Sequence, residues 1–132
     1  MSSIKAFKVT ADWFSDASVT LRVDLGILTP ELAAEINKFW GDARARLAAE
    51  DGDEVRAVAR LFGAQAIRYF MSDGGASFGP DPSTAAPRYW TQKVIDAQGE
   101  GWLSADGLGI LIIAAEVDDV GYYDVDLAEE PA

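Results

Sequence analysis

The sequence predicts an α+β fold: an antiparallel sheet made from two β-hairpins, in the order β-β-α-α-α-β-β, with the helices packed on one face. Three observations carry that prediction. Residues 17–25 alternate apolar and polar side chains with period two. Residues 30–70 repeat apolar side chains at helical spacing. Residues 107–127 join an apolar run, 108–115, through a turn to a second alternating stretch. With 132 residues and neither an internal repeat nor a linker, the chain is expected to form one domain, 1–132, with its own core.

Residues 4–10 and 17–25 read as the first hairpin, because Val19, Leu21, Val23 and Leu25 alternate with Thr20, Arg22 and Asp24. The link 11–16 carries Trp13 and Phe14, which either fold back over the core or form a contact point. Thr29-Pro30-Glu31 is a helix start, with Thr as N-cap, Pro at the first helical position and Glu near the positive dipole end. Leu32, Ile36, Phe39, Ala43 and Leu47 then mark one face of one helix, with Asp42 and Arg46 as an i,i+4 pair on the other. Residues 50–54 break it, Gly52 turning the chain and Asp53 capping the next helix, which buries Val55, Val58, Ala59, Phe62, Ala66 and Tyr69 or Phe70. Arg56, Arg60 and Arg68 form a stripe on this helix, either a solvated face or a docking stripe for the acidic strands of another copy.

Residues 72–87 (SDGGASFGPDPSTAAP) read as a flexible Gly/Ser/Pro loop. A third helix is expected over 88–98, with Trp90, Val94 and Ala97 on one side and Gly99 as stop. An Asp106-Gly107 turn leads into the final hairpin, whose first strand is apolar on both faces. Such a strand needs cover on both sides, from the helices on one and from Trp13, Trp102 or a second subunit on the other. A homodimer is therefore expected.

Composition excludes several chemistries. The chain has no cysteine and no histidine, which removes disulfides, thiolate chemistry, the commonest general base and the commonest metal ligand. The start, MSSIKAFKVT, has no secretory apolar region and 108–115 is too short to span a bilayer, so the expectation is a soluble cytoplasmic protein. Net charge is −11, and after Lys93 ten acids follow with no Lys or Arg. Direct binding to nucleic acid is disfavoured, because it requires many cationic contacts. The acidic excess serves solubility or forms a surface aimed at a basic partner.

Motifs point the same way. Gly75-Ala76-Ser77-Phe78-Gly79 matches G-x-S-x-G, but it follows a helix and has no histidine to serve as base. The acids at 50–54 and at Asp118, Asp119, Asp124 and Asp126 lack the ligand spacing of an EF-hand. No catalytic, cofactor or metal residue is assigned. The candidate partner-binding set is Asp118, Asp119, Tyr122, Asp124, Asp126, Glu129 and Glu130, the last two in an acidic tail, 128–132. On an expected last strand, Tyr122, Asp124 and Asp126 share one face and Tyr123, Val125 and Leu127 the other. Carboxylates about 6.8 Å apart on such a strand imitate a phosphate backbone. They equally serve an ordinary solvated edge that discourages aggregation.

Leu28-Thr29-Pro30-Glu31-Leu32-Ala33, Glu35-Ile36-Asn37, Phe39-Trp40, Asp51-Gly52-Asp53, Leu61-Phe62-Gly63, Gly101-Trp102 and Gly107-Leu108-Gly109-Ile110 together resemble the bacterial domain-of-unknown-function family 2528. The resemblance covers nearly the whole chain and implies a small acidic protein of plasmids and other mobile elements. It transfers no catalytic residue. It adds that such proteins sometimes inhibit host defence or restriction systems, including by mimicking DNA. The expected function is a non-catalytic interaction protein that binds a basic or nucleic-acid-handling protein. The alternative is a small carboxylate-dependent hydrolase with 72–87 as its lid.

Overall fold

In the computed structural model, which describes residues 3–11, 16–79, 86–118 and 122–131, four strands form one antiparallel sheet. These are β1 (Ile4–Ala11), β2 (Ala17–Asp24), β3 (Ala76–Phe78) and β4 (Ile110–Val117), in the spatial order β1-β2-β4-β3. β1 and β2 pair from Ile4↔Asp24 to Ala11↔Ala17, as their alternation predicts. β2 pairs with β4 from Val23↔Ile110 to Ser18↔Glu116, and the register slips between Leu21↔Ile112 and Thr20↔Ala114, which makes Ile113 the extra residue of a bulge. The α+β class stands.

The helices are α1 (Pro30–Phe39), α2 (Ala43–Ala49), α3 (Glu54–Ser72), α4 (Ala86–Gln98) and the single turn α5 (Ala105–Leu108). Thr29 Oγ1 caps α1 by accepting from the Leu32 N–H at 3.2 Å, and Asp53 caps α3 by accepting from the Arg56 N–H at 3.1 Å. Helix α3 lies against β1 and β2, and α4 against β4. Val19, Leu21 and Val23 of β2 and Ile110, Ile112, Ala115 and Val117 of β4 meet Phe62 and Phe70 of α3 in the core. Each large apolar side chain buried there contributes about 1.5–3 kcal/mol. Gly63 lets α3 lie close on β1: a Cβ at this position would lie 2.5–2.9 Å from all three side-chain carbons of Val9.

Several expectations are corrected. The final hairpin does not form: residues 122–124 make one 3-10 turn, 125–130 have no strand, and β4 pairs with β2 and β3 instead. The edge of β4 goes to Ala76–Phe78, within the stretch expected as a loop, because Phe78 brings a ring that stacks on Trp90 and meets Phe70 edge-on. Tyr123 and Leu127, by contrast, are 95% and 99% exposed and reach no core, so the two-faced alternation expected over 122–127 is absent.

The expected single helix is two. Asp42 takes a left-handed backbone (φ 67°), and Arg46 turns inward rather than pairing with it. The Arg46 guanidinium donates to the carbonyls of Asn37 (3.0 Å), Trp40 (2.9 Å) and Gly41, and its Nε to Asn37 Oδ1 (2.8 Å). Carbonyls at the end of α1, which lack helical partners, are thereby satisfied. Finally, Trp102 does not cover the second face of the sheet. It packs on Phe62 and Trp40 on the helix side and donates its Nε1–H to the buried Gln65 Oε1 at 2.8 Å. Trp13 and Phe14 lie outside the described residues. On β4, Leu111, Ile113 and Ala114 are only half-buried, so its burial alternates more than its sequence does.

One buried polar group fixes the sheet to α4. β3 reaches only the C-terminal half of β4, leaving the N–H of Ile112 without a strand partner on that edge. The fully buried Thr91 supplies one: its Oγ1 accepts from Ile112 at 2.8 Å and donates to the Pro87 carbonyl at 2.6 Å.

Candidate interaction surfaces

Asp118 is exposed just past the end of β4, where the strand stops and the acidic segment begins. Asp119 lies outside the described residues. Tyr122 opens the 3-10 turn and Asp124 closes it, followed by Asp126, Glu129 and Glu130 on irregular backbone, with every residue from 123 to 131 exposed. The segment thus presents four carboxylates interleaved with Tyr123, Val125 and Leu127, which are 95%, 58% and 99% exposed. Acidic and bulky apolar side chains alternate along one exposed stretch of chain, which encloses no cavity.

Asp106, Asp24, Glu116 and Glu50 carry carboxylates held in contacts within the fold. Asp106 and Arg88 form a two-pronged pair, with Arg88 Nη2 2.6 Å from Asp106 Oδ2 and Nη1 on Oδ1. That hydrogen bond holds the Asp106 carboxyl below its ordinary range. The pair stands at a hollow of about 240 Å³ that also touches Arg22, Asp24 and Leu111. There Asp24 Oδ1 accepts from the Gly26 N–H at 2.9 Å. Ser77 of the G-x-S-x-G stretch sits on β3, and its hydroxyl lies 3.1 and 3.0 Å from the two carboxylate oxygens of Glu116 across the strand pair. Among the described residues, no three His, Cys, Asp or Glu side chains gather closely enough to hold a metal ion. No helix among them is long and apolar enough to cross a membrane.

Glu50 organises the arginine stripe. Its side chain, only 12% exposed, accepts from Arg56 Nε at 3.0 Å and from Arg60 Nη1 at 2.8 Å. The hydrogen bond from Arg60 holds the Glu50 carboxyl below its ordinary range. The Arg56 guanidinium also lies 5.6 Å from the centre of the Phe7 ring. Sequence reasoning found the arginines but not Phe7 and Lys8 of β1, which meet them in space. The available signal was an amphipathic edge strand carrying Lys5 and Lys8 among Phe7 and Val9.

Fold and surface define a class: a small acidic α+β protein, one four-stranded sheet backed by helices, with an exposed carboxylate-rich C-terminal segment. The chain belongs to the DUF2528 family of proteins of unknown function, whose profile matches residues 18–127. It is similar to protein ea10 of Escherichia phage lambda and to the lambda prophage-derived protein ea10 of Escherichia coli O6:H1. Each is 30% identical over 128 residues, covering 96% of this chain and 94% of the relative. These relatives are of phage and prophage origin, in keeping with the mobile-element setting that the resemblance implies. No solved structure matches the chain.

Proposed function

We propose that this chain is a non-catalytic interaction protein that binds a basic, nucleic-acid-handling protein of the host cell through Asp118, Asp119, Tyr122, Asp124, Asp126, Glu129 and Glu130. The observation that carries the reading is the exposure of every residue from 123 to 131 on a stretch that holds four carboxylates and no base. Carboxylates on such a segment steer a cationic partner at long range and lose that attraction in salt, as the screening length falls from about 10 Å at 0.1 M to about 3 Å at 1 M. Phage and prophage relatives favour a host target. A DNA-mimicking version requires the segment to extend on binding, since residues 122–124 form a 3-10 turn in the free chain.

Capture from Escherichia lysate at low and high salt tests this. The chain is expected to retain a basic protein at low salt, to release it at high salt, and to lose it in the combined variant Asp118→Asn, Asp119→Asn, Asp124→Asn, Asp126→Asn. Equal retention by that variant overturns the proposal.

A further inference from the structure

The sheet has one long open edge. Among the described residues β1 pairs with β2 only, so its outer edge presents a row of backbone donors and acceptors to whatever lies beside it. Two hollows, of about 290 and about 340 Å³, run along this edge between β1 and α3, and they share Val9, Thr10 and Arg60. The apolar floor is Phe7, Val9 and Met71. Lys8, Arg56, Arg60 and Arg68 stand around it, which places four of the chain's eleven Lys and Arg at one groove in a protein of net charge −11.

Glu50 does not cancel this charge; it positions it. Its carboxylate engages Nε of Arg56 and Nη1 of Arg60, leaving the remaining guanidinium donors for another acceptor. The groove therefore suits an extended ligand that offers backbone to a strand edge, apolar side chains to a shallow floor, and carboxylates to flanking cations. Lys8 belongs to the strand and the arginines to the helix, so cations lie on both sides of an added strand. Either row of its alternating side chains can carry the acids.

The chain contains such a ligand. Residues 122–130 alternate exposed Tyr123, Val125 and Leu127 with Asp124 and Asp126, and end in Glu129 and Glu130. In the structure this segment does not enter its own groove, since Tyr123 and Leu127 remain 95% and 99% exposed. We propose that the groove between the open edge of β1 and α3 receives the acidic C-terminal segment of a second copy of this chain as an added strand. Donation is reciprocal: each copy gives a segment and accepts one, which closes a two-fold dimer. This goes beyond the partner-binding reading, and a host partner would compete with the second copy for the same segment.

The test is molar mass by light scattering across the micromolar range. It compares the full chain with a groove variant, Lys8→Glu/Arg68→Glu, and a segment variant, Asp124→Lys/Asp126→Lys. The groove variant leaves the Glu50 cluster intact, and circular dichroism checks both folds. The wild-type chain is expected to be dimeric, and each variant alone monomeric, because acid then faces acid or base faces base. Mixed in equal amounts, the two variants are expected to restore the dimer mass, since both contacts regain opposite charges. A monomeric wild-type chain, a dimer that survives both variants, or a failure of the mixture to associate overturns the proposal. A monomer whose β1 amides are protected from exchange also overturns it, because the segment would then be its own chain's ligand. The groove variant keeps every acidic residue of the segment, so its behaviour in lysate capture separates failure of the dimer from failure of the host-partner reading.

Discussion

Replacing Gly63 with alanine should destabilise the protein, although the same change in an exposed helix stabilises. Helix propensity alone favours alanine by about 1 kcal/mol. Against it stands the strand beneath: the new methyl would lie 2.5 Å from Val9 Cγ2, 2.7 Å from Cβ and 2.9 Å from Cγ1. Carbon atoms pack at about 3.5–4.0 Å, so α3 and β1 must part by roughly 1 Å. Rotating Val9 does not help, because its Cβ is itself inside the overlap. Overpacking costs about 1–3 kcal/mol, and with the immovable Val9 Cβ inside the overlap the upper part of that range, about 2–3 kcal/mol, applies; less the propensity gain of about 1 kcal/mol, it leaves a net loss of about 1–2 kcal/mol. In a chain of 132 residues that lowers the Tm by about 3–8 °C. Urea unfolding followed by tryptophan fluorescence reads the effect. The same substitution in a Val9→Ala background should cost less without becoming free, since two of the three overlapping carbons are gone and Cβ remains. A coupling energy of at least about 0.5 kcal/mol is expected. If Gly63→Ala is as stable as the wild type, or if Val9→Ala leaves its cost unchanged, the close packing of α3 on β1 is refuted.

Two further perturbations test other contacts. Thr91→Val keeps the shape of the side chain but removes the acceptor for the buried Ile112 N–H. It should destabilise by about 1–3 kcal/mol in urea unfolding, with Thr91→Ser losing clearly less. Glu50 has a folded-state pKa below its ordinary 4.5, so its contribution is complete above that value and is lost as the pH falls through the folded-state pKa. The acid limb of the urea midpoint against pH should therefore be shallower in Glu50→Gln than in the wild type, and identical limbs would refute the role assigned to the cluster.

Much of the fold was legible because its signals are local. Thr29-Pro30-Glu31 and Asp53 cap where their chemistry says they should, and the alternation of 17–25 makes a strand with one face in the core. The errors came where two segments compete for one place. Tyr123, Val125 and Leu127 have the spacing of a strand, but spacing does not report whether an edge is vacant. The edge of β4 is taken by Ala76–Phe78, whose single useful ring finds Phe70 and Trp90. Arg46 was misread for a related reason: an i,i+4 acid is visible in sequence, while the carbonyls of a helix that stops short are not. At the candidate surfaces, the acidic residues were legible as composition and the arginine stripe as periodicity. The groove was not, because Phe7 and Lys8 meet Arg56 and Arg60 across some fifty residues of chain.

The unequal edges of the sheet set a limit on assembly. One side is closed to long additions: β3 is three residues long, and beyond it Thr91 has already answered the Ile112 N–H. The other side, along β1, runs for eight residues with no strand beside it among the described residues. A sheet able to grow in both directions is a bifunctional monomer and polymerises into fibres. This one has a single long edge, so direct edge-to-edge pairing of sheets along β1 stops at two copies, and head-to-tail donation of segments is the one route to longer assemblies, which reciprocal exchange closes.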